Sequence, residues 1–188
     1  MSKKPQSGTA TNNSLNFLPL KVNMRVDSIK SFKEVKVLDC FHGEGKLWKE
    51  VQKKSTAKIN ITGIDINDYN NGAIIGDSLR WIQMNDLSKY DVIDIDSWGS
   101  CVKWLEVLFR KKYKGIVHCT YCNPISANPD AILSDHYYGF KSFDILKSPS
   151  IFSKELPSMI KKYLNDKGIK EIFGHLSQKN NYFWFIIS

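Results

Sequence analysis

Val37-Leu38-Asp39-Cys40-Phe41-His42-Gly43-Glu44-Gly45 is followed by Lys46, Leu47 and Trp48. An apolar, β-branched run thus passes through a glycine-bearing turn directly into a helix-forming stretch. Glycines let the backbone approach a ligand closely, and the start of a helix presents N–H groups that lack an intrahelical partner. The acid at the strand end, Asp39, suits an ammonium or hydroxyl ligand and repels a pyrophosphate. No third glycine follows Gly43 and Gly45 at the spacing of G-x-G-x-x-G, which argues against a dinucleotide. By itself such a turn is structural as readily as functional, so its surroundings decide.

Outward from this turn, short apolar runs alternate with helical stretches, the pattern of parallel strands joined by crossovers. The runs are Val35 to Cys40, Ile59 to Ile66, Ala73 to Ile75, Asp91 to Ile95 and Gly115 to Thr120, with helices expected over Lys46 to Lys54, Ser78 to Met84 and Ser100 to Lys112. Cys101, Trp104, Leu105 and Leu108 recur at i, i+3, i+4 and i+7 and form one buried stripe. Leu156, Met159, Ile160, Tyr163 and Leu164 form another, ended by Gly168. Ile169 to Gly174 and Tyr182 to Ile187 are expected as a final strand pair, antiparallel at the sheet edge. The fold class is α/β, with about seven mostly parallel strands, an antiparallel edge pair and helices on both faces. Met1 to Asn16, rich in Ser, Thr, Asn and Lys, buries too little to order and is expected as a flexible polar arm. Residues 17–188 are expected as a single domain.

The second strand ends Thr62-Gly63-Ile64-Asp65, about 20 residues after the glycine loop. Nucleoside-binding α/β folds hydrogen-bond ribose hydroxyls through a carboxylate at that point. Asp77, after the short run Ala73 to Ile75, is placed near an adenine amino group at the same sheet edge. It also suits the N-cap of the helix beginning at Ser78, and the two roles are compatible. In Asp94-Ile95-Asp96-Ser97-Trp98-Gly99-Ser100 strand alternation puts Asp94 and Asp96 on one face, with Trp98 in the loop over the carboxyl edge. A carboxylate beside an exposed aromatic fits methyl transfer to a nucleobase exocyclic amine: the acid accepts a hydrogen bond or a proton from the amine, and the ring stacks on the base. The competing reading makes Asp96 a helix-capping acid and Trp98 a core residue.

The order of these motifs resembles the class I S-adenosylmethionine-dependent methyltransferases, a Rossmann-like fold. Residues 94–100 resemble the D-x-D-P-[YF]-G-S motif of the tRNA guanine-26 dimethyltransferases, and the likeness spans roughly Phe17 to Thr120. Phe17-Leu18-Pro19 and Asn23-Met24-Arg25 are similar to a family segment whose arginine approaches the cofactor. The resemblance implies S-adenosylmethionine as cofactor, seated by Asp39, Phe41, Gly43, Gly45, Asp65, Asp77, Asp94 and Arg25. It implies Asp96 and Trp98 as the catalytic pair and no metal. Ser97 stands where the family has a proline that stiffens the turn. The chain is also expected to lack the family's C-terminal RNA-binding domain, leaving recognition to the basic N-terminal segment, to residues after Cys122, or to a protein partner or self-association.

Net charge is +8. Residues 1–36 carry seven Lys or Arg against two acids, and the remainder 20 against 17. This leading excess suits either phosphate contact or solubility. Four scattered cysteines, Cys40, Cys101, Cys119 and Cys122, do not make a disulfide framework, and Cys119-x-x-Cys122 is expected as strand cysteines rather than a metal site. No apolar run reaches membrane-spanning length and the leading residues lack a signal core, so the expectation is a cytoplasmic protein without a membrane partner. Asn123 to Ser150, with Tyr137 and Tyr138, is either a substrate lid or a locally packed loop. His42 is expected to shape the cofactor pocket and His118 to sit satisfied in a strand. The function expected is methyl transfer to a nucleobase exocyclic amine, in RNA ahead of DNA. A DNA amino-methyltransferase and a non-catalytic binding protein of the same fold are the alternatives.

Overall fold

The computed structural model describes residues 17–97, 99–122, 149–177 and 180–188, without side-chain detail at 122, 149–153 and 180. The arm 1–16, Trp98 and residues 123–148, with Tyr137 and Tyr138, lie outside the described residues.

Helix α1 spans Leu18–Ile29, β1 Glu34–Asp39, α2 Lys46–Lys54, β2 Lys58–Asp65, β3 Ile74–Ile75, α3 Ser78–Met84, β4 Val92–Ile95, α4 Val102–Arg110, β5 Gly115–Cys122, α5 Pro149–Asp166, β6 Phe173–His175 and β7 Asn180–Ile187. The strands form one sheet in the order β3-β2-β1-β4-β5-β7-β6. Strands β1 to β5 pair in parallel, and β7 runs antiparallel to both β5 and β6. The expected antiparallel closure is therefore a single reversed strand set second from the edge, because the β6–β7 pair folds back to lay β7 beside β5.

Each face of the sheet buries its own core. Strand alternation sends Leu38, Ile93, Ile95, Val117 and Phe183 to one side, where Leu105 and Leu108 of α4 and Leu156, Ile160 and Leu164 of α5 cover them. Both helical stripes expected from the sequence lie in this layer. Val35, Val37, Val92 and Ile116 face the other side, against Val22 and Ile29 of α1 and Trp48 and Val51 of α2. At roughly 25 cal/mol per Å² of apolar surface removed from water, these two layers supply the main favourable term of folding.

Helix α1 is not among the helices expected from the sequence, whereas the helix-free passage from β2 to β3 is as expected. Helix α1 carries Leu18, Val22, Val26 and Ile29 at helical period and is opened by a proline in its first turn, where the missing N–H costs nothing. It buries Lys21, Val22, Met24, Arg25, Ser28 and Ile29. Parallel strands are commonly joined through a helix, but β2 and β3 are joined by residues 66–73 without one. Both residues of β3 remain exposed. Among the described residues no helix is long and apolar enough to cross a membrane.

Candidate functional site

The strand order reverses between β1 and β4, which are neighbours in the sheet although β2 and β3 lie between them in sequence. Open α/β sheets bind ligands in the crevice at such a point, outside the carboxyl ends of the strands. Asp39 and Asp94 are register partners there. Asp65, which closes β2, is level with Ile75 of β3. Asp77 and Asp96 follow the ends of β3 and β4, so the acids singled out in the sequence converge on one edge.

The glycine loop is braced from within. Asp39 is buried, receiving the Phe41 N–H on Oδ1 at 3.3 Å and facing His42 Nδ1 with Oδ2 at 3.0 Å. The His42 ring lies in a notch between Gly45 and Gly63. A Cβ on Gly63 would fall 2.6 Å from its Cδ2 and 2.8 Å from its Nδ1. Gly45 caps α2 with φ of 71°, a left-handed conformation that disfavours any side chain. The Gly43 N–H donates to Asp65 Oδ2 at 2.8 Å, and the Gly43 carbonyl accepts from Asn71 Nδ2 at 2.8 Å. The loop is thereby tied to β2 and to the segment that follows it. Asp65 Oδ1 receives the Asn67 N–H at 2.9 Å. Phe41 turns its ring onto Trp104 of α4, with centroids 5.1 Å apart. Asp77 is exposed and caps α3, accepting from the Arg80 N–H at 3.0 Å.

On the α1 face, Asp94 and Asp96 stand two residues apart, as strand alternation requires. Arg25 grips Asp94 bidentately, Nε to Oδ2 at 2.7 Å and Nη2 to Oδ1 at 2.6 Å, while Trp48 Nε1 donates to Oδ2 at 2.8 Å. The pair is 2% and 0% exposed. Burial pushes the Asp94 carboxyl up, to about 6, against the pull of Arg25. One turn before Arg25 on α1, Lys21 reaches Asp96 with Nζ 2.7 Å from both carboxylate oxygens. Burial raises the Asp96 carboxyl, but the Lys21 ammonium, with Arg25 beyond it, outweighs this and holds it below its ordinary value.

His118, level with Asp94 on β5, lies 2.8 Å from Ser28 Oγ through Nε2. The Ser28 hydroxyl donates to the Arg25 carbonyl, so Nε2 of His118 carries the proton and donates to Ser28. Burial, reinforced by Arg25, holds this imidazole neutral, well below the usual histidine range. Through Nε2 it anchors α1, but its Nδ1 is buried without a hydrogen-bond partner among the described residues, so the satisfied strand histidine expected from sequence is met on one nitrogen only.

No protein-family model matches the chain, and no curated protein matches it. Solved structures do share its architecture. A candidate class I S-adenosylmethionine-dependent methyltransferase from Listeria monocytogenes aligns over 97% of this chain at a TM-score of 0.51 and 15% identity. The chain spans 63% of that protein. A precorrin-6y C5,15-methyltransferase from Geobacter metallireducens aligns over 95% of this chain and 91% of its own, at a TM-score of 0.50 and 11% identity. The chain has the class I methyltransferase fold. A candidate exported protein from Bordetella parapertussis shares the fold as well, at a TM-score of 0.53 and 9% identity over 91% of this chain and 67% of its own. At such identities the likeness is one of fold.

Within this methyltransferase fold, the carboxyl edge collects Asp39, Gly43, Gly45, Asp65, Asp77, Asp94 and Asp96. Arg25 approaches the edge from below through Asp94. Sequence reasoning missed Lys21, Trp48 and Asn71. It also missed Ile66, a large apolar side chain left 78% exposed immediately after Asp65. An apolar residue in a polar loop directly after a strand-end acid was the available signal for Ile66. For Lys21 the signal was its i, i+4 spacing from Arg25.

Proposed function

We propose that the chain binds S-adenosylmethionine at the β1–β4 crevice and transfers its methyl group to an exocyclic amine of a nucleobase, in RNA ahead of DNA. The observation that carries this reading is the convergence of the braced glycine loop with the acids ending β1, β2 and β4 at the point where the strand order reverses. Asp65, Asp77 and the exposed face of Ile66 form the nucleoside end of the pocket, with Ile66 offering an apolar surface to the adenine ring. Asp39, Phe41, Gly43 and Gly45 shape the amino-acid end. Arg25 and Asp94 support it by locking α1 to β4. Asp96 receives the amine N–H, and Trp98 stacks on the base. The sulfonium already activates the methyl group, so the protein chiefly aligns attack and handles one proton. The likeness of residues 94–100 to the tRNA guanine-26 dimethyltransferases favours a tRNA substrate, and the cytoplasmic setting rests on the shortness of the apolar runs and the polar leading residues. The basic N-terminal segment or a partner subunit adds the recognition surface.

A ligand that binds only the native state raises its apparent stability, by about 2.7 kcal/mol at 100 times Kd. S-adenosylmethionine and its demethylated product are therefore each expected to raise the melting temperature. No shift at saturating ligand would refute the cofactor assignment. Incubation with tRNA, total RNA and DNA, followed by mass spectrometry of the nucleosides, identifies the acceptor. The Lys21 clamp on Asp96, together with Ser97, favours one rival, a protein that binds cofactor and transfers nothing; a thermal shift without any labelled nucleoside is its signature.

Gly63→Ala tests the loop without touching a candidate contact. The added methyl drives into the His42 ring and breaks its approach to Asp39. Cofactor affinity is expected to fall at least about tenfold, equivalent to about 1.4 kcal/mol, with the far-ultraviolet circular dichroism unchanged. Wild-type affinity in this variant would show that the brace does not shape the pocket.

A further inference from the structure

We propose that Lys21 is a positioning residue of this site, fixing the Asp96 carboxylate in one orientation and in its acceptor-only, ionised form, so that the site selects a neutral nitrogen nucleophile over a hydroxyl. The inference rests on the reading that Asp96 faces the methyl acceptor.

Lys21 is fully buried, whereas the Asp96 side chain is 14% exposed. Whatever meets this ion pair from solvent meets the carboxylate. The lysine is held at both ends: Arg25 Nη1 donates to its carbonyl at 3.1 Å, and its Nζ lies 5.1 Å from the centroid of the Tyr182 ring on β7. With Nζ equidistant from Oδ1 and Oδ2, rotation of the carboxylate away from the ammonium breaks two charge-assisted hydrogen bonds inside a largely desolvated site. The charged groups that act on Asp96 are Lys21 and Arg25 from α1 and Asp94 near the end of β4, and Thr120 on β5 also favours its ionised form. Lys21 is the cation in direct contact, and Arg25 is matched by Asp94.

A carboxylate so paired is a weak base. It does not deprotonate a hydroxyl, but it can accept a hydrogen bond from an amine N–H. In the transfer, the nitrogen lone pair forms the new N–C bond as the S–C bond breaks, and that bond's electron pair stays on sulfur, leaving a neutral thioether. The nitrogen becomes cationic and strongly acidic. Its proton passes to Asp96 and then to water, which restores the ion pair.

The test follows the Asp96 carboxyl by carbon-13 NMR in the full chain and in Lys21→Met and Lys21→Arg. In the wild type the Asp96 midpoint is expected below the ordinary aspartate value of about 4. Lys21→Met is expected to raise it by one pH unit or more, a tenfold gain in proton affinity, and Lys21→Arg to restore most of the shift. Transfer from tritiated S-adenosylmethionine to total RNA is expected to show its acid limb displaced upward by the same interval in Lys21→Met. A purely structural lysine would lower the rate at every pH and leave the limb in place. A wild-type midpoint at or above the ordinary value, or an unmoved midpoint in Lys21→Met, overturns the proposal. If Lys21→Met does not fold, the wild-type midpoint alone decides. If the wild type labels no acceptor, the methyltransferase reading fails, while the titration still decides the role of Lys21.

Discussion

Asp96→Asn is expected to lower methyl transfer by about 10²–10⁴-fold, the span typical for loss of an acid–base group, while cofactor affinity stays within about twofold of wild type. Asparagine keeps the shape of the side chain and still offers Lys21 one carbonyl oxygen, but it cannot take the amine proton. Asp96→Ala is the less informative variant. Both variants remove the carboxylate in contact with a fully buried ammonium, but alanine leaves that ammonium no oxygen at all and opens a gap beside it, so a larger fall in stability accompanies the fall in rate and the two effects become entangled. Calorimetric titration with S-adenosylmethionine, run beside the tritium transfer assay, separates the roles. Loss of cofactor binding in Asp96→Asn would contradict the division between a cofactor end and an acceptor end, and undiminished transfer would remove Asp96 from the chemistry.

Arg25→Met is expected to destabilise the protein by about 3–5 kcal/mol, the usual consequence of leaving one partner of a buried ion pair unpaired. The orphan is Asp94, 0% exposed and retaining, among the described residues, only the Trp48 N–H as a donor. Burial already pushes its carboxyl up with Arg25 in place. Without the guanidinium, Asp94 binds a proton or the core opens to water. The double variant Arg25→Met/Asp94→Leu should recover most of the loss, because replacing both partners by apolar groups is often neutral or better. Urea unfolding of the two single variants and the double variant measures the coupling. A loss below about 1 kcal/mol in Arg25→Met would mean that α1 is anchored by its apolar contacts alone. By length and burial a protein of this kind has about 5–15 kcal/mol in total, so this one substitution takes a large share.

How much of this was legible in the sequence varies by element. The strands around Leu38, Ile64, Ile93 and Val117 were readable because continuous β-branched runs admit few other structures. Helices α4 and α5 were readable from Leu105, Leu108, Ile160 and Leu164, which repeat at helical period. Asp39, Asp65, Asp77 and Asp96 were locatable because strand ends fix where an acid sits in a parallel sheet. Helix α1 was not read, although Leu18, Val22, Val26 and Ile29 repeat at helical period. Beside that stripe its buried face also carries Lys21, Arg25 and Ser28 at i, i+4 and i+7, and charges at such positions ordinarily mark a solvated face. The partners that make those charges tolerable, Asp94 and Asp96, lie 69 and 75 residues away, and no local pattern reveals them. His42 was legible as a loop residue. That it fills the notch above Gly63 is a tertiary fact, set by a neighbouring strand.

The pairing of α1 with β4 has a kinetic consequence. α1 is the first described element to leave the ribosome, yet the two acids that neutralise its buried face are made some seventy residues later, and only after β4 has aligned beside β1 do they stand in register to receive it. Val22 and Ile29 can meet β1 and α2 earlier, but the ammonium and guanidinium of α1 cannot be buried without cost before then. The long loop that must close before these contacts form slows their formation. Docking of α1 is thus expected to be a late event in folding and an early one in unfolding. The site is then assembled last, at a time when the rest of the sheet is already in place.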